Sequence, residues 1–164
     1  MTLNEFNRLP APQAAEELYR CCASKKWAEA LATKRPFANL NAVCTTGDEV
    51  WFKLDHREWL EAFSHHPQIG GDISKMREKF PSQEQAGING ADEQTLQGLS
   101  KGNLEYEMKF GHVFLICATG KSAQEMLTAL NSRMKNSAEQ ELKNAATEQS
   151  KIFKLRLAKL LENK

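Results

Sequence analysis

The run His65-His66-Pro67, followed by Gly70-Gly71, carries the residue types best suited to acid–base chemistry in this chain. Imidazole titrates near neutral pH, so a histidine can both donate and accept a proton under physiological conditions. Pro67 disfavours a helical conformation at the residue before it, which places His66 just beyond the preceding helix. The partial negative charge of a helix C-terminus favours a protonated imidazole, and His66 is therefore a candidate proton carrier. The alternative is that both histidines are simply solvated.

The residues before this run predict the helix that positions it. Asp55 can cap the first turn, and Glu58 occupies the matching position of a capping box. Trp59, Leu60 and Phe63 share one apolar face at helical spacing. The segment is therefore expected to form an amphipathic helix that ends at the histidines.

A second candidate lies in the last long segment, predicted as a helix from Ser137 to about Leu161. Residues at alternating steps of three and four place Arg156 on the inward stripe with Leu142 and Ile152. A buried guanidinium is costly unless it meets an anion, so this position calls for an acidic partner. A substrate carboxylate, an internal salt bridge, or extension of the side chain to the rim would each meet that need.

Helix signals recur along most of the chain. Capping patterns are found at Thr2, Ser24, Thr46, Asp92 and Ser122, and each precedes apolar residues at helical spacing. The sequence therefore predicts an all-α fold, with residues 1–164 forming a single compact domain.

One apolar run, Gly111 to Cys117, departs from this pattern because it is rich in residues that favour strands. A short run of this kind is either an extended segment or part of a buried helix, and periodicity alone does not decide between them. Met108 and Phe110, just before it, are expected in the core.

Composition bounds the class of protein. The chain has 164 residues with 41% hydrophobic content, which suits a globular domain. Lys and Arg total 22 against 21 Asp and Glu, so no basic surface for nucleic acid is indicated. The four cysteines lack C-x-x-C spacing, as is usual in a reducing compartment. No secretory signal, peroxisomal address or membrane span is recognised, so a cytoplasmic location without membrane contact is expected.

Four motifs occur in a fixed order: His66-Pro67 with Ile69-Gly70, Glu84-Gln85-Ala86-Gly87, Lys109-Phe110-Gly111 with Phe114-Leu115-Ile116-Cys117, and Arg156. In this order and spacing the chain resembles the 2-oxo-4-hydroxy-4-carboxy-5-ureidoimidazoline (OHCU) decarboxylase family, from Leu3 to Leu160. The resemblance implies an all-α fold of about eight or nine helices and a homodimer without metal or organic cofactor. It also implies a small-molecule substrate, OHCU, which is decarboxylated to (S)-allantoin in urate degradation.

The resemblance further implies a set of site residues. His66 and Glu84 are implied as catalytic, with His66 moving the proton and Glu84 orienting the substrate or His66. Backbone amides of residues 112–116 are implied to bind ureido and ring oxygens, and Arg156 to lie at the edge of the site. The substrate-binding residues implied are Pro67, Pro81, Ser82, Gln83, Glu84, Gln85, His112, Val113, Phe114, Leu115, Ile116 and Arg156.

The chain departs from the family pattern at three places. Phe80-Pro81 stands where many relatives carry Trp-Ser, so the serine contact expected at position 81 is absent, and Ser82 is the nearby hydroxyl. His112 occupies a position that is more often aromatic, and Val113 one that is often proline. These changes preserve the main-chain groups while altering the local shape of the loop.

Two other classes of function stay open from the residues alone. The first is a metal-dependent hydrolase using His56, His65, His66 or His112, although no H-x-x-x-H or H-E-x-x-H motif occurs. The second is a non-catalytic helical interaction module, in which Arg156 and the histidines serve a protein interface.

Overall fold

Helices account for most of residues 1–67 and 92–162, the part of the chain that the computed structural model describes. They are α1 (Leu3–Arg8), α2 (Ala11–Cys21), α3 (Lys25–Thr33), α4 (Leu40–Lys53), α5 (His56–Ser64), α6 (Glu93–Phe110), α7 (Ala123–Arg133) and α8 (Ala138–Leu160). No strand occurs within these two ranges, and the all-α prediction is confirmed. The chain forms two compact units, one of Met1–Ala62 with Ala146–Lys164 and one of Phe63–Ala145.

Most helix starts follow the capping signals in the sequence. Thr2 and Glu5 form a complete capping box at α1. The side chains of Ser24, Asp92 and Ser122 accept hydrogen bonds from the first turns of α3, α6 and α7. These contacts satisfy amides that a helix N-terminus would otherwise leave unpaired.

The predicted helix start at Thr46 is wrong. Helix α4 begins six residues earlier, at Leu40, and its cap is Asn39, whose side chain accepts a hydrogen bond from Ala42 N–H at 2.8 Å. Gly47 lies inside the helix, where a Cβ atom would come within 3.3 Å of the Phe153 ring. The glycine is therefore explained by close packing rather than by a helix boundary.

The first unit has an aromatic core. The rings of Trp27 and Phe153 lie 4.8 Å apart, and Trp51 meets Phe153 edge-on at 6.2 Å. The indole N–H groups of Trp27 and Trp51 donate to the carbonyls of Gly47 and Ala146 at 3.0 and 2.9 Å. Both tryptophans are fully buried with their polar atoms satisfied.

The second unit packs α6 against α7. Leu99 and Tyr106 of α6 are fully buried with Met126 and Leu130 of α7. Helix α6 has 18 residues and begins directly after the predicted cap, Asp92. The expectation that Met108 belongs to the core is wrong, because its side chain is 87% exposed. Met108 follows Tyr106 by two residues, and side chains so spaced on a helix do not share a face.

Candidate active site

The apolar run after α6 is an extended, buried segment. Gly111 ends the helix with φ +77°, a left-handed conformation that favours glycine, and its N–H donates to Glu107 O at 2.8 Å. Residues 113–118 are neither helix nor strand. Phe114, Leu115 and Ile116 are 1%, 3% and 5% exposed. The prediction of a short extended segment is confirmed, and the alternative of a buried helix is wrong.

We call residues 112–118 the 112–118 segment. Side-chain nitrogen atoms hold the carbonyl groups of this segment. His112 Nδ1 lies 3.0 Å from Val113 O, Arg133 Nη1 donates to Leu115 O at 2.7 Å, and Lys121 Nζ donates to Cys117 O at 3.1 Å. Three alternate carbonyls are thus bound by nitrogen donors.

The amide groups of the segment differ from its carbonyls. Within residues 1–67 and 92–162, the N–H groups of Phe114, Leu115 and Ile116 have no hydrogen-bond acceptor. Amides in buried segments are normally paired, because an unpaired donor away from water costs free energy. Such amides can bind the carbonyl oxygens of a small molecule.

A buried network of polar side chains supports the segment. Arg133 bridges two acceptors, since its Nε donates to Glu141 Oε1 at 2.8 Å while its Nη1 holds Leu115 O. Its guanidinium also lies 4.5 Å from the centre of the Phe114 ring. Glu141 is fully buried and accepts further hydrogen bonds from the Tyr106 hydroxyl, Asn136 Nδ2 and Asn144 Nδ2 at 2.7, 2.9 and 2.6 Å.

This network sets the charges of its members. Burial raises the pKa of Glu141, but hydrogen bonds from Asn136 and Tyr106, with the charge of Arg133, outweigh it and hold the pKa below the ordinary value of 4.5. Burial, together with the hydrogen bond to Glu141, raises the pKa of Tyr106. At neutral pH the network therefore contains a carboxylate, a guanidinium and a neutral phenol.

His112 lies at the start of the segment in an aromatic environment. The imidazole is 9% exposed and its centre lies 5.6 Å from the ring centres of both Phe63 and Tyr106. The Val113 carbonyl can only accept a hydrogen bond, so the proton of this contact belongs to Nδ1. A neutral His112 then presents Nε2 as an acceptor.

His66 occupies the position expected from the proline. It follows the end of α5, and its backbone N–H donates to Phe63 O at 3.1 Å. His66 and Pro67 are half-buried, whereas His65 is exposed. Because the Phe63 ring packs on His112, the structure brings the backbone at His66 and the start of the 112–118 segment to the same side chain.

Arg156 belongs to the other unit, the one containing Met1–Ala62. Its side chain is half-buried, with Nη1 3.5 Å from Cys21 O, beside the buried residues Ile152 and Leu157 of the same helix. Burial raises the pKa of the Cys21 thiol to about 12 despite the nearby Arg156 charge, so this thiol is not a nucleophile at neutral pH.

Five predicted residues, Pro81, Ser82, Gln83, Glu84 and Gln85, lie outside the described residues. The predicted meeting of His66, Glu84 and Arg156 around one substrate therefore stays a prediction.

A cavity of about 630 Å³ in the first unit contains none of the predicted site residues. It is lined mainly by small and apolar side chains of α2 and α3, such as Ala15, Tyr19, Ala28 and Ala32, with Glu61 at one side. Its lining includes three glutamates, Glu16, Glu29 and Glu61, but no histidine.

Metal sites and membrane-spanning helices are absent from the part of the chain that the structure describes. Over residues 1–67 and 92–162, no three His, Cys, Asp or Glu side chains lie together so as to hold a metal ion. In the same ranges no helix has the length and apolar character needed to cross a membrane.

Sequence reasoning missed Arg133 and Glu141. Glu141 is fully buried, and the Arg133 side chain is only 13% exposed. A signal was present, because Glu141 precedes Ala145 by four residues and Ala145 lies on the inward stripe of α8. The spacing pattern chose Leu142 instead, which is only half-buried.

Comparison with known proteins gives a consistent family match. The model of the OHCU decarboxylase family matches residues 7–158. The uric acid degradation bifunctional protein of Arabidopsis thaliana is 39% identical over 150 residues, covering 88% of this chain and 46% of that protein. The 2-oxo-4-hydroxy-4-carboxy-5-ureidoimidazoline decarboxylase of Amia calva is 30% identical over 139 residues, covering 82% of this chain and 79% of that protein.

A solved structure agrees with these relatives. The crystal structure of an OHCU decarboxylase in the presence of (S)-allantoin superposes with a TM-score of 0.79 at 38% identity, covering 90% of this chain and 99% of that one. Against the bifunctional relatives the chain is shorter, spanning 46% of the Arabidopsis thaliana protein and 33% of one from Bacillus subtilis.

Proposed function

The chain belongs to the OHCU decarboxylase family, and we propose that it converts OHCU to (S)-allantoin and carbon dioxide. The observation that carries this proposal is the buried 112–118 segment, whose amides lack acceptors within the described ranges and whose first residue packs beside the end of α5. That arrangement suits a small ligand rich in carbonyl oxygens, as the ureido and ring groups of OHCU are.

The reaction needs stabilisation of the negative charge that develops as carbon dioxide leaves. It then needs transfer of one proton to one face of the ring. The bond between the ring carbon and its carboxylate breaks, carbon dioxide leaves, and the electron pair stays as an enolate-like intermediate. A proton is then delivered on one face to the neighbouring, ureido-bearing carbon, while the hydroxyl group becomes the ring carbonyl and its proton passes to the ring nitrogen, which gives a single enantiomer. His66 is proposed as the proton carrier, because it is released from α5 at Pro67 and is half-buried, unlike His65.

The amides of the 112–118 segment are proposed to bind the ureido and ring oxygens. Donors fixed in advance towards developing negative charge contribute about 3 kcal/mol each to transition-state stabilisation. A buried segment suits this role because its donors are already desolvated and ordered. The family resemblance adds Pro67, Pro81, Ser82, Gln83, Glu84 and Gln85 to the proposed contacts, with Glu84 orienting the substrate or His66.

Arg156 is proposed to bind and orient the substrate carboxylate rather than to break a bond. A guanidinium that gripped the carboxylate too tightly would stabilise the ground state against loss of its charge. An arginine at the edge of the site avoids that cost while still attracting the anion.

The proposal also covers assembly and cofactors. We expect a cytoplasmic homodimer whose 164 residues act as a single domain without metal or organic cofactor. Light scattering on the purified protein gives the oligomeric state, and dialysis against a chelator should leave the activity unchanged. A monomer, or loss of activity on chelation, would contradict these parts of the proposal.

The activity itself is tested with substrate made in place. Urate oxidase and hydroxyisourate hydrolase generate the unstable OHCU, and circular dichroism follows allantoin as it forms. Addition of this protein should accelerate the appearance of the (S)-enantiomer. If the time course matches the slow racemic background, the proposed function is wrong.

A further inference from the structure

We propose that Arg133 is a positioning residue that orients the Ile116 amide for the substrate. This inference rests on the proposed function, since it concerns the same substrate-binding segment. Arg133 binds Glu141 Oε1 and Leu115 O, and it is proposed to act through the peptide plane that joins Leu115 to Ile116.

The geometry of that peptide plane fixes the direction of the Ile116 N–H group. Within the described residues the peptide bond between Arg35 and Pro36 is the sole cis bond, so Leu115 and Ile116 are joined in trans. In a trans peptide the C=O and N–H groups point in opposite directions. Because Arg133 Nη1 holds Leu115 O at 2.7 Å, the Ile116 N–H of the same plane points away from Arg133.

Contacts on several sides hold the guanidinium of Arg133 in a fixed position. Nε is bound to Glu141 Oε1 at 2.8 Å, Nη1 is bound to Leu115 O at 2.7 Å, and the cation lies over the Phe114 ring. The same oxygen of Glu141 is held in turn by the Tyr106 hydroxyl at 2.7 Å. A planar fork with two separate acceptors transmits this order to Leu115 more rigidly than a single donor would.

The ion pair of Arg133 and Glu141 has a cost in desolvation free energy. Burying a guanidinium and a carboxylate removes both from water, and well-packed apolar side chains would often stabilise the fold as well or better. Stability alone therefore gives a weak reason for this network. Its contact with the 112–118 segment gives a stronger one, because a misplaced donor loses most of its value to a transition state.

The decisive variant is Arg133→Met, which removes the hydrogen bond to Leu115 and keeps an apolar stem. Its matched control is Asn144→Ala, which removes a hydrogen bond from the other oxygen of Glu141 but leaves the link from Arg133 to Leu115. Binding of (S)-allantoin is measured by calorimetry, and the Ile116 amide is followed by ¹⁵N NMR during the titration.

We expect Arg133→Met to weaken (S)-allantoin binding and to lower kcat/KM by about tenfold or more, the size of one charged hydrogen bond. The Ile116 amide signal, which should shift with ligand in the wild type, should no longer respond. Asn144→Ala should lose thermal stability yet keep the wild-type affinity and the Ile116 response.

A second variant keeps the test decisive if Arg133→Met does not fold. The double variant Arg133→Met with Glu141→Gln removes both charges while leaving an acceptor for the Tyr106 hydroxyl, and it should fold with the same loss of affinity. Wild-type affinity and a normal Ile116 response in either folded variant would overturn the proposal. If the wild type itself neither binds (S)-allantoin nor decarboxylates OHCU, the proposed function fails instead.

Discussion

Buried acidic groups are paired differently in the two units of the chain. In the unit of Met1–Ala62 with Ala146–Lys164, Glu58 and Glu148 pair with lysines whose side chains are 65% and 57% exposed. In the unit Phe63–Ala145, Glu141 pairs with Arg133, and the two side chains are only 0% and 13% exposed. The cation that pairs with a buried carboxylate is exposed to solvent in the first unit and largely enclosed in the second.

We interpret the arrangement in the first unit as serving stability and the enclosed ion pair of the second unit as serving function. In the first unit, the indole N–H groups of two fully buried tryptophans donate to main-chain carbonyls. These contacts satisfy the polar atoms without burying a charge. In the second unit, the ion pair of Arg133 and Glu141 has a larger desolvation cost. It lies where Arg133 holds the irregular 112–118 segment through Leu115 O. Such departures from the least costly packing are expected at functional sites.

The largest expected effect is on the first unit. Trp51→Ala removes a fully buried indole that contacts Phe153 and should lower the free energy of unfolding by about 4 kcal/mol. Urea denaturation measures the change, with Trp51→Phe as the control that loses mainly one hydrogen bond. A loss below about 1 kcal/mol for Trp51→Ala would show that this core contributes little to stability.

The second-largest effect on the free energy of unfolding is expected for the buried carboxylate of the second unit, Glu141. Glu141→Gln keeps the shape of the side chain but weakens four hydrogen bonds, and it should cost about 2 kcal/mol at neutral pH. Denaturation curves at several pH values give the free energy of unfolding of both proteins.

The pH dependence of that difference has a definite sign. The folded-state pKa of Glu141 lies below its ordinary value of 4.5, so its stabilising contribution is present above that pH and is lost as the pH falls through the lowered pKa. The gap between wild type and Glu141→Gln should therefore close in acid. A gap that stays constant would mean that Glu141 is not ionised in the folded protein.

A smaller effect is expected where α6 meets α7. A Cβ atom added at Gly102 would lie 2.4 Å from Leu130 Cδ2, so Gly102→Ala should cost about 1.5 kcal/mol through overpacking. Gly98 is the matched control on the same helix, because its added Cβ would lie 3.1 Å from Leu127, which is only partly buried. Thermal unfolding should show Gly98→Ala nearly neutral; equal losses would contradict the difference in packing.

The smallest effect is predicted for an exposed ion pair. Lys143 lies 3.5 Å from Glu139 with side chains 61% and 78% exposed. Lys143→Ala should change the free energy of unfolding by less than about 0.5 kcal/mol, because solvent and salt screen such pairs. A loss comparable to that of Glu141→Gln would remove the contrast between enclosed and exposed charge.

Local rules predicted much of this fold. The caps at Thr2, Ser24, Asp92 and Ser122 depend on hydrogen bonds within one turn, so the sequence alone locates them. The start of α4 was predicted wrongly because Thr46 and Glu49 have the spacing of a capping box inside the helix, and the packing partner of Gly47, Phe153, is distant in sequence. Packing partners of this kind are not visible to patterns of three and four residues.

The site was predicted less completely. The position of His66 follows from Pro67, which acts on its neighbour, and the extended character of the 112–118 segment follows from its β-forming residues. The pairing of Arg133 with Leu115 and Glu141 joins two helices and an irregular segment. No local rule specifies such a contact, so three-dimensional structure was needed to find it.

The most direct test of the account compares two adjacent histidines. Circular dichroism follows the formation of (S)-allantoin from OHCU with the wild type, His66→Ala and the neighbouring control His65→Ala, after thermal unfolding has shown all three to be folded. The account predicts enantioselective acceleration by the wild type and His65→Ala, and the racemic background rate with His66→Ala. Full activity in His66→Ala would contradict the central claim that this imidazole carries the proton.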